Sequence, residues 1–308
     1  NLKEVELIAI SDINEKIGRE MAKNYSCRYY KDYYEMLRKE KIDAVSIAVP
    51  TSLHKKIALD AIKFKKHILI EKPIASNLKE AKKIIEAAKK SNIKLMVGHI
   101  ERFNPAIKEL KKIIQKGQLG EIISIVAKRV GMFPPRIKDT NVIIDLAVHD
   151  LDIFNYILER QPRKVFAKSR NVLTKYYYDS AEIFLLYGKT NCFLQVNWIT
   201  PIKIRTLSLA GSKGYARLNY ITQKLELYKS VYAKKVDNFG EFIVKFGEPI
   251  KKEIKTEKKE PLVIELESFV KCIQENTKPQ ATGEDGLKAL YIAEKAVLSS
   301  KLNKVIKI

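Results

Sequence analysis

The sequence has few cysteines, and those it has are far apart. Cys27, Cys192 and Cys272 are widely spaced and form no CxxC pair. A sparse, odd-numbered set of this kind cannot supply a disulfide framework. It favours reduced thiols and a cytoplasmic protein.

Long apolar runs, repeats and low-complexity segments are also missing. No run approaches the roughly 20 residues of a membrane span, and no secretory signal pattern is visible at the start. Hydrophobic residues make up 46% of the 308 positions and charged residues 31%. This composition predicts a soluble, globular chain without a membrane partner, long enough for two domains.

Acidic residues are scarce relative to basic ones, 36 against 58, which gives a net charge of +22. A nucleic-acid-binding protein would concentrate its basic residues on a stripe or tail. Here lysine is spread along almost every predicted helix, often near glutamate, as in "NLKEAKKIIEAAKKSNIK". We read this as a solvated lysine-rich surface and expect no nucleic-acid partner. An anionic partner is the alternative, and a phosphorylated small molecule is the simplest one.

The first third of the chain alternates strands and helices. Four apolar strands are predicted, at 5–11, 42–50, 67–71 and 94–98. Helical spacing between them indicates a parallel sheet with right-handed crossovers. The predicted fold class is therefore α/β over residues 1–98.

From residue 99 to residue 308 the pattern changes to consecutive short strands joined by short turns. Such strands favour a large, mostly antiparallel sheet, so we predict an α+β domain for substrate binding and oligomerisation. Residues 250–260 are predicted to be a charged connection. Apolar residues exceed what one covered sheet face needs, notably Ile183, Leu185, Phe193 and Leu194. An uncovered apolar face predicts a homo-oligomer, a dimer or a tetramer.

The start of the chain lacks a glycine turn. A dinucleotide-binding fold opens with a strand, a GxGxxG turn and a helix, followed by an acidic residue about 20 positions on. Asp12 fits that acidic residue, yet the eleven residues before it contain no glycine. We expect the first β-α unit to be absent from this sequence, and NAD binding to need about 25 further upstream residues. The alternative is that Asp12 is an ordinary strand-end turn residue.

Two charged groups end a buried strand in "HILIEKPIA", residues 67–75. Ile68, Leu69 and Ile70 are followed by Glu71-Lys72-Pro73, where a solvated turn would favour Gly, Asn or Asp. In α/β proteins the carboxyl ends of strands are where ligands bind. A lysine here can stabilise negative charge that develops on a reacting oxygen.

A second group of polar residues follows helical spacing in "DLAVHDLD". Asp145, His149 and Asp152 share one face of a helix, and Asp150 points elsewhere. Histidine suits a base that removes a hydroxyl proton near neutral pH. Asp145 can orient His149, and Asp152 can bind a neighbouring hydroxyl. The alternatives are a salt bridge or a metal site, but the chain has four histidines and no HExxH, so no metal is expected.

Four segments, in order, resemble the Gfo/Idh/MocA oxidoreductases: 43–75, 97–105, 143–154 and 281–300. The resemblance implies a Rossmann-type first domain, and Lys72, Asp145 and His149 as the catalytic trio. It also implies that Glu71 supports the cofactor site and that a cis Pro73 helps to direct Lys72.

The cofactor is expected to be NAD, with NADP less favoured. A carboxylate at position 12 accepts hydrogen bonds from a ribose 2′-hydroxyl and repels a 2′-phosphate, and Ile13 stands where an NADP enzyme would carry Arg. Pro50 and Thr51 are expected on the nicotinamide side. His54 is expected at the cofactor edge or in a structural role.

The segments "RFNP", "KRVG", "PRIKD" and "NWITPIKIR" resemble those of archaeal nucleotide-sugar dehydrogenases. The resemblance implies oxidation of the 3-hydroxyl of UDP-N-acetylglucosamine. The candidate substrate-binding residues are Arg102, Asn104, Arg129, Arg136, Asp152 and Arg205, with Lys138 and Lys203 as further cations. Thr140-Asn141 departs from the pattern of these relatives. A free sugar or cyclitol such as inositol, or a non-catalytic ligand sensor, are the alternatives.

Overall fold

The computed structural model describes residues 2, 4–134, 140–229, 232–236, 242–246 and 248–308. Its contacts divide the chain into two compact units. Unit 1 comprises residues 1–99 and 262–290, and unit 2 comprises 100–261 and 291–308. The segment 262–290, predicted as part of one continuous second domain, therefore belongs to the first unit.

Unit 1 begins with alternating parallel strands and helices. Its elements are β1 (Ala9–Ser11), α1 (Glu15–Asn24), β2 (Arg28–Tyr30), α2 (Tyr33–Lys39), β3 (Ala44–Ile47), α3 (Thr51–Lys63), β4 (His67–Glu71), α4 (Leu78–Lys90) and β5 (Leu95–Gly98). Strand β1 pairs with β2, and β3, β4 and β5 form a separate three-stranded sheet. The parallel arrangement is as predicted, but β2 and α2 were not predicted because both are short and contain many polar residues.

Local sequence explains where these helices begin. The side chain of Asn14 accepts a hydrogen bond from the Ile17 backbone N–H, and Asn77 does the same for Glu80. Helix α3 begins directly after Pro50, whose ring makes no side-chain cap, so the first N–H groups of α3 receive no side-chain partner from that position. In β4, Ile68 and Ile70 on one face and Leu69 on the other are all buried, as expected for a strand covered on both faces.

Unit 2 is built on a nine-stranded sheet. Its earlier elements are α5 (Pro105–Gln115), β6 (Ile122–Met132), α6 (Val148–Leu158), β7 (Lys164–Arg170), β8 (Ser180–Tyr187), β9 (Thr190–Asn197), β10 (Ile199–Gly211), β11 (Gly214–Asn219) and β12 (Lys224–Lys229). Its later strands are β13 (Tyr232–Val236), β14 (Phe242–Phe246) and β15 (Ile250–Ile254). After them come helix α7 (Pro261–Gln274) and helix α8 (Gly283–Leu302), whose residues from 262 to 290 belong to unit 1, and then β16 (Ile306–Lys307) in unit 2.

The strand order is β15-β12-β11-β10-β6-β9-β8-β7-β16, and every pair is antiparallel except β6 with β9. The mostly antiparallel sheet is as predicted. The segment 250–254 is a strand rather than a charged connection, because it pairs with β12 at the sheet edge. Strands β13 and β14 pair with each other in antiparallel orientation and form a separate two-stranded sheet.

One face of this sheet packs on the core and the other is open. Ile183, Leu185 and Leu194, three of the four residues expected to exceed one covered face, are fully buried in the core. Phe193 alone of that set points the other way and is 38% exposed. The covered face therefore accounts for three of these four residues, and Phe193 is the one that remains for an uncovered face.

The segment 262–290 completes unit 1 at the edge of β5. The Val97 N–H donates to the Ala281 carbonyl at 2.9 Å, and Met96 forms an antiparallel bridge with Thr282. A Cβ added at Gly286 would lie 2.9 Å from Val97 Cγ2, so this glycine permits close packing of α8 on the strand. In the described part of the chain, no helix is long and apolar enough to span a membrane.

Candidate active site

The carboxyl ends of β4 and β5 bring a charged group over a glycine. Glu71 and Gly98 are direct cross-strand partners. A Cβ added at Gly98 would lie 3.2 Å from the Glu71 carboxyl carbon, so the glycine leaves room for that carboxyl group above the strand. Glu71 Oε2 accepts the backbone N–H of Lys72 at 3.1 Å. Lys72 itself is half-buried, and the Lys72–Pro73 peptide bond is cis, as the resemblance implied.

His54 connects two loops at this edge of the sheet. It is 1% exposed, with Nδ1 3.0 Å from the Pro73 carbonyl oxygen and Nε2 3.0 Å from the Val49 carbonyl oxygen. Burial lowers the pKa of His54, so the ring is neutral at neutral pH and its single N–H donates to one carbonyl at a time. These contacts indicate that His54 positions the Pro50 and Pro73 turns relative to each other. Of the two roles expected for His54, they favour the structural one.

The end of β1 carries the residues predicted to select the cofactor. Asp12 Oδ1 accepts the Asn14 backbone N–H at 2.8 Å, and Ile13 is 85% exposed. A strand-end carboxylate is the type of group that binds ribose hydroxyls, and the start of α3 offers backbone donors near Pro50. The described residues therefore fit the ribose and nicotinamide ends of NAD.

In unit 2 the predicted base lies at a change of helix type. Residues Ile143–Ala147 form a π-helical turn that leads into α6. Asp145 lies on this turn and His149 follows in the first turn of α6, and both are half-buried. The widened turn replaces the single regular α-helix that was predicted, and such turns are frequent at functional sites.

The two residues that depart from the pattern of relatives adjoin this turn. Asn141 Oδ1 accepts the backbone N–H groups of Ile143 and Ile144, at 3.0 and 3.1 Å. Asn141 thus caps the segment that carries Asp145. The Thr140-Asn141 pair therefore supplies a standard start to the helical segment.

Asp152 and Arg102, both predicted to bind substrate, bind each other. Arg102 donates to both Asp152 oxygens, at 2.7 and 2.6 Å, and stacks over the Tyr156 ring. Asp152 is 1% exposed and Arg102 is 7% exposed. A buried bidentate pair uses the groups that a substrate would need, so we reassign both residues to the interior of unit 2.

Arg129 lies in a larger buried network. It is 2% exposed and donates to Asp150 and, at 2.8 Å, to Glu101. The Tyr220 hydroxyl donates to Asp150 at 3.0 Å, and the Arg129 guanidinium lies over the Tyr220 ring. Burial alone would lower the pKa of Arg129, but the charges of Asp150 and Glu101 more than offset it and raise the pKa.

This network corrects two predictions. Arg129 holds the start of α6 to β6 rather than offering a cation to a diphosphate. Its main partner is Asp150, which was predicted to point away from the polar group. Asn104 is also structural, since it caps α5 through the Ala106 N–H and donates to the Tyr220 carbonyl at 3.0 Å.

Arg205 differs from these arginines. It lies on β10, opposite Arg129 on β6, and is half-buried. Within the described residues its guanidinium makes no hydrogen bond or ion pair, while Asp145 lies close enough for its charge to act on Arg205. Burial, followed by the charge of Arg129, lowers the pKa of Arg205. Lys203 is exposed, and Arg136 and Lys138 lie outside the described residues.

Comparisons with known proteins agree with this layout. Residues 1–99 match the model of the oxidoreductase family GFO_IDH_MocA with an NAD-binding Rossmann fold, and residues 107–217 match the GFO/IDH/MocA C-terminal domain. The chain is 30% identical over 223 residues to UDP-N-acetylglucosamine 3-dehydrogenase of Acidithiobacillus ferrooxidans, covering 72% of this chain and 69% of that protein. It is 27% identical to myo-inositol 2-dehydrogenase of Thermotoga maritima, covering 99% of this chain and 95% of that protein.

A solved structure of the A. ferrooxidans enzyme GnnA is similar over most of the chain. It has a TM-score of 0.83 and 26% identity, covering 96% of this chain and 90% of that one.

Proposed function

The chain belongs to the Gfo/Idh/MocA oxidoreductase family with its NAD-binding Rossmann domain, and from that premise we propose that it oxidises a nucleotide sugar. The proposed reaction converts the 3-hydroxyl of a UDP-linked N-acetylhexosamine, UDP-N-acetylglucosamine first, to a ketone. Relatives named for this activity and for inositol oxidation are both similar to the chain. The family therefore leaves the substrate open, and the residues must favour one.

The proposed chemistry assigns one task to each member of the catalytic trio. NAD, when bound, accepts the hydride from the carbon that bears the hydroxyl. His149 takes the hydroxyl proton, and Asp145 orients the imidazole or holds the hydroxyl. Lys72 supplies the positive charge that stabilises alkoxide character on the oxygen. Asp12, Pro50, Thr51 and Glu71 are proposed to hold the cofactor, with Ile13 beside it.

The observation that favours an anionic substrate is Arg205. A half-buried guanidinium without a hydrogen-bond partner in the described residues has its donors available to a ligand. It also lies within electrostatic reach of Asp145, a member of the proposed trio. Arginine suits a diphosphate because its planar donors pair with two oxygens at once. A cyclitol has no group that requires such a cation.

The test is NADH formation by the full-length protein with UDP-N-acetylglucosamine, UDP-glucose and myo-inositol. We expect turnover of UDP-N-acetylglucosamine. Replacing Arg205 by Met should raise its KM about tenfold or more, in the range for losing a charge-assisted hydrogen bond. Arg170→Met is the matched control, since Arg170 is an exposed arginine at the end of β7. Turnover of inositol alone, or an unchanged KM in Arg205→Met, would contradict the nucleotide-sugar assignment.

The open face of the sheet is proposed to bind a second copy of the chain. Phe166, Phe184, Phe193 and Val126 are direct neighbours across four strands and are 37–45% exposed. The adjacent row on this face carries Lys168, Glu182, Gln195 and Lys128. An apolar row beside a row of both charge signs can meet the same face of a second copy about a two-fold axis, with apolar residues opposite each other and opposite charges paired. The proposed cytoplasmic location agrees with the three free cysteines.

Light scattering tests this interface. We expect an oligomer at micromolar concentration, and Phe184→Glu should dissociate it by placing a charge within the apolar row. Leu302→Glu is the control, because Leu302 is 49% exposed at the end of α8. A monomeric wild-type protein, or an oligomer that is unaffected by Phe184→Glu, would refute the interface.

A further inference from the structure

Glu265, on α7, is a buried acid that the proposed reaction does not use. It is 1% exposed, and its Oε1 has no hydrogen-bond partner in the described part of the chain. A buried carboxylate without a partner is costly, and such groups are rare in native structures. The position therefore requires an explanation beyond packing.

The neighbour that acts on Glu265 is another acid. Glu71, at the carboxyl end of β4, is the charged group in the described residues whose field reaches it. Burial, and then the charge of Glu71, raise the pKa of Glu265 to about 8. At neutral pH Glu265 therefore holds a proton, and no cation of the described residues is among the charges that act on it.

We propose that Glu265 stores a proton beside the cofactor site and releases it when oxidised NAD binds next to Glu71. The inference rests on the proposed function, in which Lys72 meets the reacting oxygen and the nicotinamide ring therefore lies at the strand edge that carries Glu71. The oxidised ring is cationic, so it stabilises the ionised form of Glu265. The reduced ring is neutral and leaves the proton in place. The carboxyl group loses H⁺ to solvent, and no other bond is made or broken.

The consequence is that Glu265 discriminates between the two redox states of the cofactor. By linkage, a group that loses a proton on binding makes binding tighter as the pH rises. Affinity for oxidised NAD should therefore increase between pH 7 and pH 9, and affinity for the reduced form should not. If Glu265 had only a packing role, its proton would not be linked to binding, and the affinity for oxidised NAD would not increase over this pH range.

Calorimetry of the full-length protein measures the number of protons released for each cofactor molecule bound. NAD and NADH are titrated at pH 7.5 in phosphate and in Tris, whose ionisation enthalpies differ. We expect release of a substantial fraction of one proton per site with NAD and none with NADH. Glu265→Gln, which copies the neutral acid, should remove that release. Glu267→Gln, an exposed change on the same helix, should preserve it.

Thermal unfolding without cofactor gives a second readout. A folded-state pKa above the unfolded value contributes stability that is lost as the pH rises towards the folded pKa. The melting temperature of Glu265→Gln should therefore rise relative to that of the wild type as the pH increases from 5 to 9. NAD binding with equal proton counts for both redox states of the wild type would overturn the inference and leave the proposed function standing. Failure of the full-length protein to bind NAD would overturn both.

Discussion

The two units differ in whether their buried charged side chains have partners of opposite charge. In unit 2 each buried arginine of the α6 region meets acids, as Arg129 does with Asp150 and Arg102 with Asp152. In unit 1, the charge that acts on buried Glu265 is that of another carboxyl group, Glu71, and among the described residues Glu265 Oε1 has no hydrogen-bond partner. The paired charges are structural although they looked like ligand contacts. Glu265 and Arg205 lack such partners among the described residues, and these are the two groups that we propose act on ligands.

Breaking a pair in unit 2 should have the largest effect on stability. Arg129→Met leaves Asp150 and Glu101 buried without their cation, and we expect a loss of about 3–5 kcal/mol in the free energy of unfolding. Urea denaturation measures it. Arg217→Met is the control, because Arg217 is 57% exposed and its pair with Glu226 should contribute about 1 kcal/mol or less. Equal losses in the two variants would remove the contrast between buried and exposed pairs.

Removing a catalytic group should affect rate more than stability. His149→Ala and Lys72→Ala are each expected to lower kcat of the full-length protein about 10²-fold, the range for losing a positioned acid or base. Asp152→Ala should instead destabilise the fold, since its partner Arg102 is buried. Steady-state kinetics with parallel unfolding curves separates the two classes, and Lys79→Ala on α4 is the surface control. Near-normal kcat in His149→Ala would show that another group is the base.

A smaller change at the strand edge should sharpen the assignment of Glu71. Gly98→Ala places a methyl group 3.2 Å from the Glu71 carboxyl carbon, which must shift by a few tenths of an ångström. We expect the Kd for NAD to rise roughly fivefold, because small misplacements of binding groups are costly. Gly131→Ala is the matched control, with its nearest neighbouring atom at 3.9 Å. An unchanged Kd for Gly98→Ala would separate Glu71 from the cofactor.

The smallest effect is expected at the sheet edge of unit 2. Hydrogen bonds from Lys251, and then Arg217 and Lys224, lower the pKa of Glu226 to about 2. A depressed carboxyl pKa contributes stability above the unfolded value, and this stability is lost as the pH falls through the folded pKa. Solvent around the exposed cations limits the contribution to about 1 kcal/mol. Unfolding curves of wild type and Glu226→Gln should therefore converge between pH 4.5 and pH 2, and a constant difference would refute this.

Much of the fold could be predicted because apolar strands and amphipathic helices follow local periodicity. The burial of Arg129 could also be predicted, since Arg129 shares the inward face of β6 with Ile125 and Ala127. Likewise Asp150 shares a helix face with Phe154, which is fully buried. The inward positions of these two charges therefore favour a structural role over ligand binding.

Other features could not be predicted from local sequence. The π-helical turn at Ile143–Ala147 depends on packing of residues distant in the chain, and no periodicity in the sequence signals it. The burial of Glu265 depends on α7 returning to unit 1. Its sequence, "PLVIELESF", indicates only an amphipathic helix. The one local indication of a buried acid is a charged residue on the apolar side of this helix. It does not show that the neighbour of Glu265 is Glu71.

The return of residues 262–290 to unit 1 also sets an order of events during synthesis. The ribosome must translate the whole of 100–261 before the strand at 95–98 can meet Ala281 and Thr282. At roughly 5–20 residues per second this takes on the order of ten seconds or more. During that time the outer edge of β5 has no backbone partner from 281–282, and Leu95, Met96 and Val97 lack part of their cover. The nascent NAD-binding unit is therefore a natural client for chaperones until its last segment emerges.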